Sequence, residues 1–299
     1  MPNCKVIAEI GINHNGDLDI AKQMINKAFL AGCDAVKFQK RDVDLVYSEE
    51  ELSKQRESPW GDTNRDQKYG LEFNKSDYHA IDEYAIHTCG IPWFASPWDI
   101  NSVDFLNQFD TEYIKIASAS ITDFELLEKI KATDKKIIIS TGMSSRDEIC
   151  KAVEYLNSHI EYVLACTSTY PTKPSEMNLE FINTLRRQFP KHRIGFSNHS
   201  TSVAFITAAM SLAAEMIEFH FTLDRSLYGS DQAASIEPHG MKLIVRNARI
   251  LKEAMGDGQW QVFESEKAIR DKLRKTVKHV SSKIVCPENE LIREGGLGE

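Results

Sequence analysis

Short apolar runs, each closing on a polar residue, recur along the chain. They are Val6–Ile12, Ala35–Gln39, Trp93–Ser96, Tyr113–Ser118, Ile137–Thr141, Tyr162–Thr167, Ile194–Asn198 and Met216–Thr222. Between most of them lies a stretch whose apolar residues return at helical spacing. That alternation predicts parallel strands crossed by helices, and eight such units close a (β/α)8 barrel of the TIM type. The first helix is expected from Asp17 to about Leu30, with Leu18, Ala21, Met24, Ile25, Ala28 and Phe29 on one face and Gly32 as its stop. Further helices are expected near Lys75–Thr88, Ile100–Gln108, Phe124–Ala132, Arg146–Ser158, Leu179–Gln188, Ser202–Ala214 and Gly240–Met255. Between Lys40 and Asn74 the rhythm breaks. A connection of that length after the second strand reads as a functional loop or lid on the face that carries the chemistry.

The chain has 299 residues, and one such barrel takes about 250. One barrel domain over 1–258 is therefore expected, followed by a helical and irregular tail over 259–299. Glu264–Lys275 is its helix candidate, with acids and bases three and four residues apart. Gly256–Asp257–Gly258 marks the boundary.

The formal charge of -8 argues against binding nucleic acid or an anionic membrane surface. No apolar run is long enough for a membrane span, and the N-terminus lacks a signal-peptide pattern. The six cysteines are scattered without a CxxC, so reduced thiols and a cytoplasmic location are expected.

Barrels of this class build their sites at the C-terminal ends of the strands. Those ends hold Glu9, Lys37, Gln39, Ser96, Lys115, Ser118, Ser140, Thr141, Cys166, Thr167, Ser197, His199 and His220. Lys37 and Lys115 sit inside apolar strands. If both point into the barrel mouth, their charges repel unless an anion lies between them, and a phosphate or carboxylate is its natural occupant. Ser96, Ser118, Ser140 and Thr141 supply hydroxyl donors beside it. Glu9, an acid in an apolar strand, needs a partner, either a lysine such as Lys37 or Lys115 or a ligand. His199 and His220 end adjacent strands and are candidate ligands for one divalent metal, with Asp231 and Glu9 as direct or supporting acids. Cys166 has no activating base nearby in sequence, so it is not expected to be a nucleophile. Thr167, Ser168 and Tyr170 read as hydrogen-bond donors to a polar ligand. His14, His239, His79, His87, His159 and His192 rank well below His199 and His220.

The stretches AEIGINHNG, AVKFQK, FASPWD, YIKIAS, IISTGM, CTSTYP, GFSNH, EFHFTLDR and GSDQAA, in this order, resemble the sialic acid (N-acetylneuraminate) synthase family. The likeness covers about residues 5 to 275. It implies condensation of phosphoenolpyruvate with an amino sugar such as N-acetylmannosamine, releasing phosphate, with a divalent metal (manganese or magnesium) as cofactor. It places phosphoenolpyruvate on Lys37, Ser96, Lys115, Ser118, Ser140, Ser197 and the Ser168–Tyr170 stretch, and the metal on His199 and His220. Glu9, Gln39, Glu218 and Asp231 are then expected around the sugar and metal. Related enzymes making legionaminic or pseudaminic acid, or another phosphoenolpyruvate–aldose condensation, are the alternatives.

The chain departs from the family pattern in places. Ser120 stands where many members carry an acid, Ser168 where asparagine is common, and Asn198 where Asp or Gly precedes the metal histidine. Many members also carry a C-terminal antifreeze-like domain that brings an arginine to the partner's sugar. The resemblance implies a homodimer; here either an internal group such as Arg56, Arg65 or Arg225 is expected to contact the sugar, or the sequence is a piece of a longer protein.

Overall fold

The structure, a computed structural model, describes residues 4–275. Eight parallel strands close a barrel: β1 Lys5–Gly11, β2 Ala35–Lys40, β3 Trp93–Pro97, β4 Tyr113–Ile116, β5 Lys136–Ser140, β6 Ile160–Cys166, β7 Arg193–Asn198 and β8 Met216–His220. Each strand pairs with its neighbours in sequence, and β8 returns to β1 through Lys5↔Met216 to Glu9↔His220. The expected TIM barrel is the observed fold.

The helices follow the strands as α1 Leu18–Ala31, α2 Lys75–Asp82, α3 Ile100–Leu106, α4 Phe124–Lys131, α5 Arg146–Leu156, α6 Phe181–Gln188, α7 Val203–Ser211 and α8 Pro238–Ala254. Their ends carry the chemistry that helix ends need. Asp17 accepts the Asp19 and Ile20 amides at the start of α1, and Gly32, at φ 85°, closes it. Beyond α2, residues Glu83–Cys89 continue with wider π-type turns.

The segment expected as a loop after β2 has structure of its own. It contains the short helices Val43–Val46 and Glu49–Leu52, a hairpin of Gln55–Ser58 with Gly61–Thr63, and the helix Asn64–Leu71. Thr63 and Asp66 cap that last helix reciprocally. Its apolar content is low, which is why periodicity missed it. The chain from Asp257 forms a unit distinct from residues 1–256 and contains the helix Glu264–Leu273. Cys286 and the end of the expected tail lie outside the described residues.

The strand pleat sorts the barrel interior into layers. Alternate residues face inward, so Ile7 and Glu9 share a side, as do Tyr113 and Lys115, Ile138 and Ser140, and Met216 and Glu218. The inward residues nearer the strand starts are apolar: Ile7, Phe94, Tyr113, Ile138, Tyr162, Leu164 and Met216 form one buried cluster. A second, larger core lies between the sheet and the helices. At the barrel floor Lys5 Nζ donates to Tyr113 Oη at 2.6 Å, and the Arg193 guanidinium lies 4.6 Å from the Tyr162 ring centre. The apolar layer plugs the barrel above these groups, and on its other side, toward the C-terminal strand ends, the inward residues turn polar again.

Candidate functional site

Those polar inward residues line one cavity at the C-terminal ends of the strands, among them Glu9, Lys37, Lys115, Ser197, Glu218, His199 and His220. Most are nearly inaccessible to solvent.

The two lysines are each held by a carboxylate. Lys37 Nζ lies 2.8 Å from Glu9 Oε2 and Lys115 Nζ 2.8 Å from Glu218 Oε1. The expectation that they repel unless an anion lies between them is therefore corrected, because Glu9 and Glu218 already balance them. Lys37 also donates to Ser96 Oγ at 3.1 Å, and Ser197 Oγ donates to Glu218 Oε1 at 3.1 Å. The two carboxylates differ in environment. Burial, reinforced by the charge of Glu218, pushes Glu9 upward against the pull of Lys37. Burial also works on Glu218, but Lys115 and Lys37 outweigh it and hold it down at about 2.

Gln39 Nε2 donates to Glu9 Oε1 at 2.8 Å. Its other end accepts from the Arg41 guanidinium, which is itself paired with Glu72 at 3.2 Å. Arg41 thus fixes which way the Gln39 amide faces.

His199 Nδ1 donates to the Thr167 carbonyl at 2.7 Å, and Nε2 lies 2.9 Å from Tyr170 Oη; burial opposes its protonated form, but the neighbouring Cys166 and the Thr167 carbonyl raise its pKa. The His199 and His220 ring centres are 5.4 Å apart. His220 Nδ1 is buried and has no hydrogen-bond partner; Asp231 Oδ2 lies 3.5 Å from it. Burial holds His220 down near 4 despite the attraction of Asp231, so the ring is neutral at pH 7. Among the described residues, no three His, Cys, Asp or Glu side chains form a ready metal cage. The donor set is two imidazoles with a carboxylate beside one of them. It fits a divalent ion of the kind that nitrogen and oxygen ligands hold.

Ser96, Ser118, Ser140, Ser168, Tyr170 and Gln39 also line the cavity. Ser140 Oγ is buried without a partner, and Ser118 Oγ accepts the Gly142 amide at 3.0 Å. Two expected substrate contacts are placed elsewhere. Thr141 Oγ1 donates to the Leu164 carbonyl at 3.0 Å, and Thr167 Oγ1 to the Glu176 carbonyl at 2.9 Å. Each follows an inward residue, Ser140 or Cys166, so the pleat turns it outward; both border a neighbouring cleft. Asp231 stands behind His220 and does not line the cavity.

Cys166 does have a partner, supplied by the end of the neighbouring strand β7. Its Sγ lies 3.7 Å from His199 Nδ1 and 3.6 Å from Ser118 Oγ. Burial opposes ionisation, but His199, Lys115 and Ser118 together bring the thiol to about 7. Sequence reading also missed Trp98 and Met143, which line the cavity, and Arg41 with Glu72, which steer Gln39. The basic pair Lys40–Arg41 directly after a strand was the available signal for Arg41. Of the three arginines suggested for the sugar, Arg65 is bound to Asp44 and Glu49, and Arg225 to Glu237.

A model of the NeuB family matches residues 24–260. The chain is 36% identical to the N-acetylneuraminate-9-phosphate synthase of Homo sapiens, over 97% of this chain and 80% of that one. It is 35% identical to the N,N'-diacetyllegionaminic acid synthase of Campylobacter jejuni, over 99% and 90%. Among solved structures, the N-acetylneuraminic acid synthetase of Leptospira borgpetersenii matches with a TM-score of 0.78 and 30% identity, over 92% of this chain and 94% of that one.

Proposed function

The chain belongs to the NeuB family, and from that premise we propose that it condenses phosphoenolpyruvate with N-acetylmannosamine or a related aldose, giving N-acetylneuraminate or a related nonulosonate and phosphate. The observation that carries the reading is that two ammonium groups, two carboxylates and two imidazoles face one cavity above a sealed floor.

An ammonium group has three donors. Lys115 directs one to Glu218, and Lys37 directs its own to Glu9 and Ser96. Both keep donor capacity for the carboxylate and phosphate of phosphoenolpyruvate, so the anion shares the lysines with Glu9 and Glu218 and displaces neither. Ser140 Oγ, buried and unpartnered, adds a hydroxyl donor at that end. His199 and His220 are the residues that would hold a divalent ion, manganese or magnesium, with Asp231 beside His220; the ion would supply Lewis-acid polarisation of the sugar carbonyl.

Held in this way, C3 of phosphoenolpyruvate bonds to the aldehyde carbon of the open-chain sugar. The former aldehyde oxygen takes up a proton to become a hydroxyl, water adds at C2 with loss of a proton, and the C2–O bond breaks as phosphate leaves with the bonding pair. Glu9, raised by burial and oriented by Gln39, is the group placed to exchange the proton of that water. The protein contributes orientation and charge stabilisation without a covalent intermediate.

Phosphate release is measured with phosphoenolpyruvate, a divalent ion and a panel of aldoses that includes N-acetylmannosamine and the precursors of legionaminic and pseudaminic acids. Release with N-acetylmannosamine supports the reading, and release only with another amino sugar moves the product to that nonulosonate. Sugar binding without phosphate release from any aldose would overturn it.

A further inference from the structure

Gln39 is the single side-chain amide lining the cavity among the described residues. A Cβ built on Gly11 would lie 3.2 Å from Gln39 Nε2, 3.1 Å from Glu9 Oε1 and 3.5 Å from His220 Nδ1. The amide therefore borders His220, at the end of the cavity where the reading above puts the aldose carbonyl.

An amide donates at one end and accepts at the other, and half a turn exchanges the two. Here both neighbours demand the same orientation. Nε2 donates to Glu9 Oε1 at 2.8 Å, and Oε1 accepts from the Arg41 guanidinium. The reversed amide would set its oxygen against a carboxylate and its NH2 group against a cation. Glu9 holds one end only, and Arg41 closes the other.

Arg41 is itself buried and does not line the cavity. Its Nε lies 3.2 Å from Glu72 Oε1, and its guanidinium packs 5.0 Å from the Trp98 ring centre. A planar fork can serve two partners in fixed directions while its face rests on an indole. Glu72, directly after the helix Asn64–Leu71, also accepts from Lys40 Nζ at 3.1 Å and from the Arg41 backbone amide at 3.4 Å. The end of the segment between β2 and α2 thus braces Arg41, and Arg41 braces Gln39. Because Glu72 keeps Lys40, loss of the Arg41 side chain strands no buried carboxylate.

We propose that Arg41 is a positioning residue for the aldose: touching neither substrate, it acts through Gln39, holding one amide hydrogen on Glu9 and leaving the other for an oxygen of the sugar. The proposal rests on the condensation reading above. Without Arg41 the Gln39 oxygen loses its charged donor and the amide turns between orientations, so the aldose meets a donor only part of the time. Phosphoenolpyruvate, held at the lysines and Ser140, is not affected.

A double-mutant cycle over Arg41→Met and Gln39→Met tests this, with phosphate release as the readout. Far-UV circular dichroism checks folding, and Arg41→Gln takes the place of Arg41→Met should the latter not fold. Arg41→Met should lower kcat/KM for the aldose by roughly tenfold or more, the effect of losing a charged hydrogen bond. KM for phosphoenolpyruvate should stay within about twofold of wild type. In the Gln39→Met background the Arg41 substitution should change kcat/KM by no more than about twofold, because residues acting as one unit are not additive. A general structural role predicts that the two losses multiply. Multiplying losses, or wild-type kcat/KM for the aldose in Arg41→Met, overturn the proposal.

Should the wild type release phosphate with no aldose, the condensation reading fails, and the positioning of Gln39 is decided without substrate. The side-chain amide signal of Gln39 is followed by NMR in protein carrying isotope-labelled glutamine, assigned by its loss in Gln39→Met. Displacement of that signal in Arg41→Met supports the positioning, and an unmoved signal overturns it.

Discussion

Lys115, on β4, and Glu218, on β8, form a buried ion pair through the barrel interior, Nζ to Oε1 at 2.8 Å. Removing two charges from water is costly, and the attraction between them offsets that cost only while both are present. Lys115→Met should therefore destabilise the fold by about 3–5 kcal/mol, and Lys115→Met/Glu218→Leu should recover most of that loss. Urea unfolding of the single and double variants measures the coupling. A single variant as stable as wild type would show the pair to be energetically idle. The same single variant should raise KM for phosphoenolpyruvate; an unchanged KM would count against anion binding there.

His220 offers a neutral ring nitrogen with no hydrogen bond in a buried polar cavity. His220→Ala removes that donor without opening the apolar floor, so the far-UV circular dichroism should match wild type. Manganese affinity, measured by equilibrium dialysis, should fall by roughly tenfold or more, and activity should be lost with it. Wild-type affinity in this variant would remove His220 from the metal site.

The strand ends were readable because each strand is a local apolar run and its last inward residue is polar. Lys37, Lys115, His199 and His220 were found in this way, and they do meet in one cavity. Their pairing with Glu9 and Glu218 was less visible, since Lys115 and Glu218 are 103 residues apart and only closure of the barrel joins them. Thr141 and Thr167 were misplaced for a local reason. The pleat alternates strictly, so a hydroxyl next to an inward Ser140 or Cys166 must face away. Arg41 was obscured because the segment after β2 has no apolar periodicity, and its helix–hairpin framework is held by caps and aromatic contacts.

Gly195 occupies an inward position on β7 with no room for a side chain. A Cβ there would lie 2.5 Å from Leu164 Cδ2 and 2.6 Å from the Met216 carbonyl oxygen. Leu164 can shift, but the β8 backbone cannot move without disturbing Glu218 above it. Gly195→Ala should cost about 1–3 kcal/mol by overpacking. Adding Leu164→Ala should relieve only part of this, because the carbonyl contact remains. Thermal unfolding of both variants checks it; full recovery in the double variant would place all the strain on Leu164.

His14 is buried, with its ring 4.1 Å from that of Phe73 and tilted by 21°. Its Nδ1 accepts the Gly16 amide at 3.0 Å. Burial, assisted by the positive charge of Arg41, pushes its pKa down to about 3. In the unfolded chain the imidazole takes up a proton near pH 6.5. Between these values the unfolded state holds the extra proton, so stability falls as pH drops below about 6.5 and continues to fall toward 3. His14→Asn keeps an acceptor for the Gly16 amide and removes the titration. Between pH 7.5 and pH 5 the wild type should lose about 2 kcal/mol more unfolding free energy than this variant, although the variant starts lower for want of the stacked ring. Parallel losses in the two proteins, followed by urea unfolding at both pH values, would mean that His14 does not carry the acid sensitivity.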